Sequence, residues 1–268
     1  MIKQNMIHLY WDTNPKNTSG TGGTYLKAIN NVNGVLHYYK MPAYDNYLKE
    51  CVGYETIFEV VVYRLCKLLG IESLEYNLLD ADVIISNNIV SAFITDSEEF
   101  KRPGESKITF ENFYLLNRID NEEPILEFCN RMGFKEYIDN MIILDFIICN
   151  RDRHGANIEI LNMDNTYRPA PLFDNGLSFV APMGMNIEAI LNFDAMSDVP
   201  CNNFIGSKSL YKNLELVTSN ITLNNLPSDW RKLLSKDIEY TMPTEVWNKI
   251  FEMIEKRCDY VYRKNIFN

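Results

Sequence analysis

The sequence is short of positive charge, of histidine and of any long apolar run, and each shortage narrows what the chain can be. Lysine and arginine total 26 against 36 aspartate and glutamate, giving a net charge of −10, and there are three histidines. So acidic a chain lacks the broad basic face that a phosphate backbone or an anionic bilayer demands, so neither direct nucleic acid nor a membrane is expected as a partner. No stretch approaches the roughly 18 consecutive apolar residues of a spanning helix. The start, Met1-Ile2-Lys3-Gln4-Asn5, is too polar for the apolar centre of a secretory signal, which predicts a cytoplasmic location. Cys51, Cys66, Cys129, Cys149, Cys201 and Cys258 form no CxxC pair and no zinc-binding spacing. They read as reduced thiols packed in the interior. Internal repeats, low-complexity tracts and Pro/Gly/Ser linkers are absent as well.

What remains is an ordinary globular balance, 46% hydrophobic and 23% charged over 268 residues, enough for one or two domains. Asn17-Thr18-Ser19-Gly20-Thr21-Gly22-Gly23-Thr24 is small, flexible and rich in donors. Residues 25–29 and 35–40 are β-rich and flank Asn33-Gly34, which predicts a hairpin with a loop longer than two residues. Over 53–70, Ile57, Val61, Leu65, Leu68 and Leu69 recur at helical steps and Gly70 stops the run. Residues 75–79 and 83–94 are β-like, the second stretch broken by Asn87-Asn88, and the polar stretch 95–107 reads as a linker. A strongly apolar helix is expected over 134–149 and a short strand with a turn over 171–176. A last amphipathic helix spans 244–263, with Val246, Ile250, Phe251, Ile254, Cys258 and Val261 inward. A β-rich start and a mostly helical remainder predict an α+β protein of two lobes with a cleft between them.

The chemistry gathers in Asn150-Arg151-Asp152-Arg153-His154-Gly155-Ala156-Asn157, directly after the apolar helix. Asp152 can take a proton from a hydroxyl, and the Asn157 oxygen is a hard ligand suited to magnesium. Farther on, Asp174 stands in Phe173-Asp174-Asn175-Gly176. An Asp and an Asn, completed by water and phosphate oxygens, are a common magnesium site in phosphoryl transfer. Each loop alone is most simply a solvated turn; together they point to a phosphoryl-transfer site.

These two loops resemble those of HipA-like kinases, relatives of the phosphatidylinositol 3/4-kinases, in which Asp-Arg-His-x-x-Asn replaces the His-Arg-Asp loop of ordinary protein kinases. The resemblance spans about residues 17–178 and fades after Val180. It implies a bilobal protein-kinase-like fold, with a β-rich N-lobe over 1–97 and a mostly helical C-lobe over 98–268. It implies ATP and magnesium, with Asp152 as the catalytic base and Asn157 and Asp174 on the metal. Upstream it implies a strand lysine, Lys40, held by a helix carboxylate, Glu55. Ser19, Gly20, Thr21, Gly22 and Gly23 would cover the phosphates, with Lys27 just beyond. Thr18, Ser19 and Thr21 become candidates for autophosphorylation. The base would lie against Phe93, Ile94 and Thr95, and His154 would bond either the loop backbone or a phosphate.

The partners implied are a protein substrate carrying a Ser/Thr hydroxyl and an antitoxin-like inhibitor, in a cytoplasmic toxin or a translocated effector. A lipid or small-molecule kinase and a nucleotide-binding pseudokinase that acts by docking are the competing readings. Sixteen residues precede the glycine-rich loop, so the extra N-terminal subdomain of full-length HipA is not expected. His8 and His37 read as half-buried strand histidines. Asn202-Asn203, Ser207-Lys208-Ser209 and residues 220–225 form loops without an assigned role, and substrate choice is expected to reside there.

Overall fold

A two-residue piece, β1 (Gln4–Asn5), opens the sheet, and the first tight turn follows in a hairpin. Asn33 and Gly34 take φ of 54° and 91°, the positive values that a two-residue hairpin turn needs. They join β2 (Lys27–Val32) to β3 (Val35–Lys40), with Val32 opposite Val35. The loop is therefore tighter than expected. The computed structural model describes residues 1–11, 25–218 and 223–264. The glycine-rich segment, with Thr18, Ser19, Gly20, Thr21, Gly22 and Gly23, lies outside the described residues.

A small ladder, β4 (Tyr44–Asp45) with β5 (Glu50–Cys51), leads to α1 (Glu55–Leu69). Gly70 ends α1 at φ 79°, a left-handed cap that glycine adopts without a Cβ clash. The two β-like stretches form one hairpin, β6 (Asn77–Ile85) and β7 (Asn88–Glu98), because Ser86 and Asn87 turn the chain at φ 48° and 65°. The sheet order is β1-β6-β7-β3-β2, with β1 parallel to β6. β7 runs to Glu98 because Thr95 to Glu98 pair with Lys40 to His37. Only 99–105, rather than 95–107, connects this sheet to β8 (Ser106–Thr109).

The remaining elements are α2 (Phe110–Asn117), α3 (Ile125–Arg131), α4 (Lys135–Ile148), β9 (Asp152–Arg153), β10 (Glu159–Met163) and β11 (Thr166–Pro169). α5 (Ile187–Asn192), β12 (Asn202–Asn203), α6 (Leu210–Leu214), α7 (Trp230–Ser235) and α8 (Thr244–Arg263) complete the chain. β10 sits between β11 and β8 in a small antiparallel sheet, and β12 lies parallel to β9. Residues 171–176 are not a strand. Leu172 makes a single bridge to Ser73, and the left-handed backbone of Asp174 (φ 55°) ends the extension. On α8 the inward positions are as the period predicts, except that Phe251 is half-buried while Trp247, Met253 and Arg257 share the buried face.

Two apolar cores result. The smaller covers one face of the sheet and holds Leu9, Trp11, Tyr39, Val83 and Ile94. The larger joins Ile57, Phe58, Val61 and Leu65 of α1 to Ile142 and Phe146 of α4 and to Ile250 and Ile254 of α8. At such fully buried sites a Leu→Ala change costs about 2–5 kcal/mol. All six cysteines are free thiols and five of them are buried; burial pushes the Cys66 thiol up to about 12. Among the described residues no helix is long and apolar enough to cross a membrane. His37 bonds Asp96 at 2.8 Å on the sheet, whereas His8 sits exposed in a turn outside any strand.

Candidate active site

Lys40 ends β3 with its ammonium 2.6 Å from Glu59 Oε1 and 2.5 Å from Asp174 Oδ1. The partner on the helix is thus Glu59, not the expected Glu55. Glu55 lies in the first turn of α1, where its carboxylate accepts from the Ala43 amide at 3.0 Å and the Tyr25 hydroxyl at 3.4 Å. One helical turn deeper, Glu59 is fully buried and reaches the strand end. Its second oxygen accepts from the Asn175 amide at 3.1 Å, so one carboxylate joins the lysine to the Asp174 loop.

Burial works against the Lys40 charge, but Asp174 and Glu59 outweigh it and hold the ammonium well above its usual range. Burial likewise pushes the Asp174 carboxyl up, yet Lys40, Lys27 and Arg153 bring it down to about 2. The pair is fully ionised at neutral pH. Asp174 adopts φ 55°, a left-handed conformation that aspartate tolerates better than most residues, and its amide donates to the Tyr76 hydroxyl at 3.3 Å. The loop then passes tightly against α1: a Cβ on Gly176 would stand 3.2 Å from Glu55 Cβ and from its carbonyl oxygen.

The other half of the site hangs on Arg153. Its guanidinium is 1% exposed and donates to Asp145 of α4 (2.8 Å from Nη2), to the Phe173 and Asn157 carbonyls (2.9 and 3.3 Å) and to Asn175 Oδ1 (2.5 Å). One side chain therefore fixes the helix before the Asp-Arg-His loop, the loop itself and the Asp174 loop. Asn157 is 5% exposed, and its Nδ2 donates to the Asp152 carbonyl at 2.8 Å, which leaves Oδ1 as the oxygen to offer. The Asp152 side chain is 31% exposed and accepts from Asn202 Nδ2 at 3.4 Å. His154 Nδ1 accepts from the Ala156 amide at 3.2 Å and caps the short turn Gly155–Asn157.

Between the sheet and the helical part lies a cavity of about 620 Å³. Lys27, Lys40, Glu59, Thr95, Asn157 and Asp174 line it. Of the expected base-binding residues only Thr95 faces this space. Ile94 points to the opposite face of β7, into the small core, and Phe93 lies over α1, its carbonyl accepting from Thr56 Oγ1 at 2.6 Å. The wall follows the chain on through Ser97 to Lys101, beyond the residues expected to meet the base. Glu55 and His154 do not line the cavity, and Asp152 joins it only through Asn157.

Asn157 Oδ1 and the Asp174 carboxylate are a hard-oxygen pair on one wall, the donor chemistry magnesium takes when nucleotide phosphates and water supply its other ligands. Among the described residues no group of three His, Cys, Asp or Glu gathers as a self-sufficient metal cage. The residues present fit magnesium brought with a nucleotide.

Glu59, Asp145, Arg153 and Lys27 were missed as site residues. For Glu59 and Asp145 the signal was a charge inside an apolar run: Glu59 before Val60-Val61-Val62, and Asp145 within Ile142-Ile143-Leu144-Asp145-Phe146. A buried charge there requires a partner. Lys27 stands directly opposite Lys40 on the neighbouring strand, and burial lowers its ammonium while Asp174 pulls the other way.

A twisted sheet with a strand lysine, a helix bearing its carboxylate partner, and a helical body carrying two acidic loops define a bilobal kinase-like fold. No protein-family model matches the sequence, and no curated protein matches it. Among solved structures the chain is similar to the proinflammatory kinase CtkA of Helicobacter pylori, with a TM-score of 0.58 and 16% identity, covering 96% of this chain and 94% of CtkA. HipA of Shewanella oneidensis MR-1, solved with HipB and operator DNA as a toxin–antitoxin system, aligns at a TM-score of 0.32 and 14% identity over 85% of this chain and 66% of that one. The likeness to CtkA shows the fold that the sequence pattern predicts.

Proposed function

We propose that the chain is an ATP- and magnesium-dependent kinase that transfers the γ-phosphate to a serine or threonine hydroxyl of a protein. One observation carries this reading: Lys40, Glu59, Asn157 and Asp174, from four separate segments, meet on one cavity, with Asp152 bonded to its rim. Lys40 contacts the phosphates while Glu59 holds it in place. Asn157 and Asp174 hold magnesium, which when bound neutralises the phosphate charge. Asp152, the more open carboxylate, takes the proton of the attacking hydroxyl. Positioning and charge neutralisation supply most of the rate, as phosphoryl transfer asks little covalent chemistry of the protein.

The protein hydroxyl as acceptor, and one of Thr18, Ser19 and Thr21 as a candidate for self-phosphorylation, follow from the likeness to HipA-like kinases. The same likeness supports an inhibitory, antitoxin-like protein partner, and we place the boundary between lobes at residues 97 and 98.

The test is incubation of the pure protein with magnesium and γ-labelled ATP beside Asp152→Asn, followed by intact mass and by labelling of a lysate. Phosphate on the protein or on a lysate component, with wild type only, is the expected result. ATP binding without transfer to any acceptor would overturn the reading in favour of a docking module.

A further inference from the structure

The loops after Val180 that the mechanism leaves unused lead away from Asp152 to a second concavity. β12 lies alongside the catalytic loop, with Asn202 opposite Asp152 and Asn203 opposite Arg153. The Asn202 amide donates to the Arg151 carbonyl at 2.7 Å and the Phe204 amide to the Arg153 carbonyl at 3.0 Å. The chain then bends at once: Asn203 Oδ1 accepts from the Ile205 and Gly206 amides, each at 2.9 Å. Buried Asn213 clamps the far side, its Oδ1 accepting from the Ser207 amide at 2.6 Å and its Nδ2 donating to the Ser207 carbonyl at 3.0 Å. A side chain on Gly206 has no room, since its Cβ would fall 2.3 Å from Asn213 Oδ1. The segment 203–207 is therefore a fixed wall and not a free loop.

This wall forms one side of a groove of about 380 Å³, closed by Ile125 and Leu126 at the start of α3 and by Leu216. The lining is mostly apolar, and Lys212 stands on its rim. Lys208 and Lys212 are exposed, and neither forms an ion pair with any described residue. Two uncommitted cations beside an apolar slot are notable on a chain of net charge −10. Ile205 lies three residues past Asn202, about 10 Å of chain, and the β12–β9 ladder adds about 5 Å, so the groove wall lies within about 15 Å of the Asp152 backbone.

We propose that this groove is the docking subsite for the protein substrate, resting on the kinase reading above. It accepts an apolar side chain lying within about five residues of the phosphorylated hydroxyl. An acidic side chain next to that apolar residue meets Lys212. The substrate segment is thus extended across the front of Asp152, with its hydroxyl at the carboxylate and its apolar anchor in the slot. The arrangement makes Asp152 chemistry conditional on a neighbouring side chain, and so selects among the many hydroxyls of a cell.

The test is a positional-scanning library of short peptides, each with one central serine, phosphorylated with magnesium-ATP by wild type and by Lys212→Glu. Burying an apolar anchor of Leu size is expected to raise kcat/KM about tenfold or more at one position within about five residues of the serine, carried by KM. An acid beside the anchor adds roughly two- to fivefold, the usual worth of an exposed pair. Lys212→Glu is expected to invert that charge preference, favouring lysine over glutamate, while the apolar preference stays. Lys212 is on the surface of a short helix, so the substitution does not threaten the fold. Phosphorylation that is indifferent to apolar side chains near the serine, or a charge preference unmoved by Lys212→Glu, would overturn the docking assignment and leave the kinase standing. Absence of transfer to every peptide and to the protein itself would overturn the kinase reading instead.

Discussion

Asp174 and Asp152 are the two carboxylates on which the proposed chemistry depends, and the structure treats them in opposite ways. Asp174 is drawn in against Lys40, flanked by Lys27 and Arg153, and held ionised down to about pH 2. Asp152 is about one-third exposed, with a long bond from Asn202 and the His154 Nε2 3.8 Å from its other oxygen. A group that must keep its charge is surrounded by cations; a group that must exchange a proton with a substrate is left open. Both loops nevertheless hang on the same buried guanidinium, which bonds the Phe173 and Asn157 carbonyls at once. The contrast between the two acids is set by their surroundings, while their relative position is set by Arg153.

The largest effect is expected from removing that shared anchor. Arg153→Met strands Asp145 in the interior without its partner and should cost about 3–5 kcal/mol, the usual penalty for breaking a buried pair from one side. Denaturant unfolding would show it as a lower midpoint, and both acidic loops should lose function together. A variant that unfolds at the wild-type midpoint would refute the anchoring role.

Next, Asp152→Asn should lower turnover by about 10²–10⁴ while ATP affinity stays near wild type, because the residue acts in proton transfer and lies off the cavity wall. Single-turnover kinetics beside a nucleotide titration separates the two quantities. Glu59→Gln removes one charged partner of Lys40 and should weaken turnover or nucleotide affinity by about tenfold or more. Glu55→Gln, one turn away, should change either by less than about twofold. Equal losses in the two variants would erase the distinction drawn between them.

The smallest effect is on stability in acid. The Asp174 carboxyl falls from the ordinary 3.8 to about 2 on folding. A depressed carboxylate contributes stability fully above its unfolded value and loses it as pH drops through the folded one. Wild type should therefore lose stability between about pH 4 and pH 2 faster than Asp174→Asn, measured by urea unfolding at each pH. Parallel curves for the two proteins would contradict the ionised pair.

Much of this site was legible because it is local. Asp152 and Asn157 belong to one loop, and a five-residue interval lets the Asn157 amide reach the Asp152 carbonyl wherever the loop is placed. Lys40 was marked by the end of a clear β-run, and α8 by an unbroken helical period. The choice between Glu55 and Glu59 was different. Both are acids near the start of one helix, and only the height at which β3 meets α1 decides which of them touches the lysine. The connection from sheet to helices is shorter than expected for a related reason. The polar residues from Thr95 to Glu98 look like a linker in sequence but are held in β7 by pairing with β3, a partner more than fifty residues earlier. The proposed groove was legible only in part: Ser207-Lys208-Ser209 stood out as a loop where substrate choice is expected, but the facing wall of residues 124–126 is distant in sequence.

The helix that bears Glu59 shares its apolar face with α4 and α8, and Arg64 near its other end donates to the Leu234 and Lys236 carbonyls, each at 2.8 Å. α1 belongs equally to the sheet: it packs against β6 and β7, and Thr56 Oγ1 donates to the Phe93 carbonyl at 2.6 Å. The Lys40–Glu59 pair thus ties β3 to a helix that both halves share, whereas the Lys40–Asp174 pair ties β3 to a loop of the helical body. A single ammonium is the rivet through three segments of the chain.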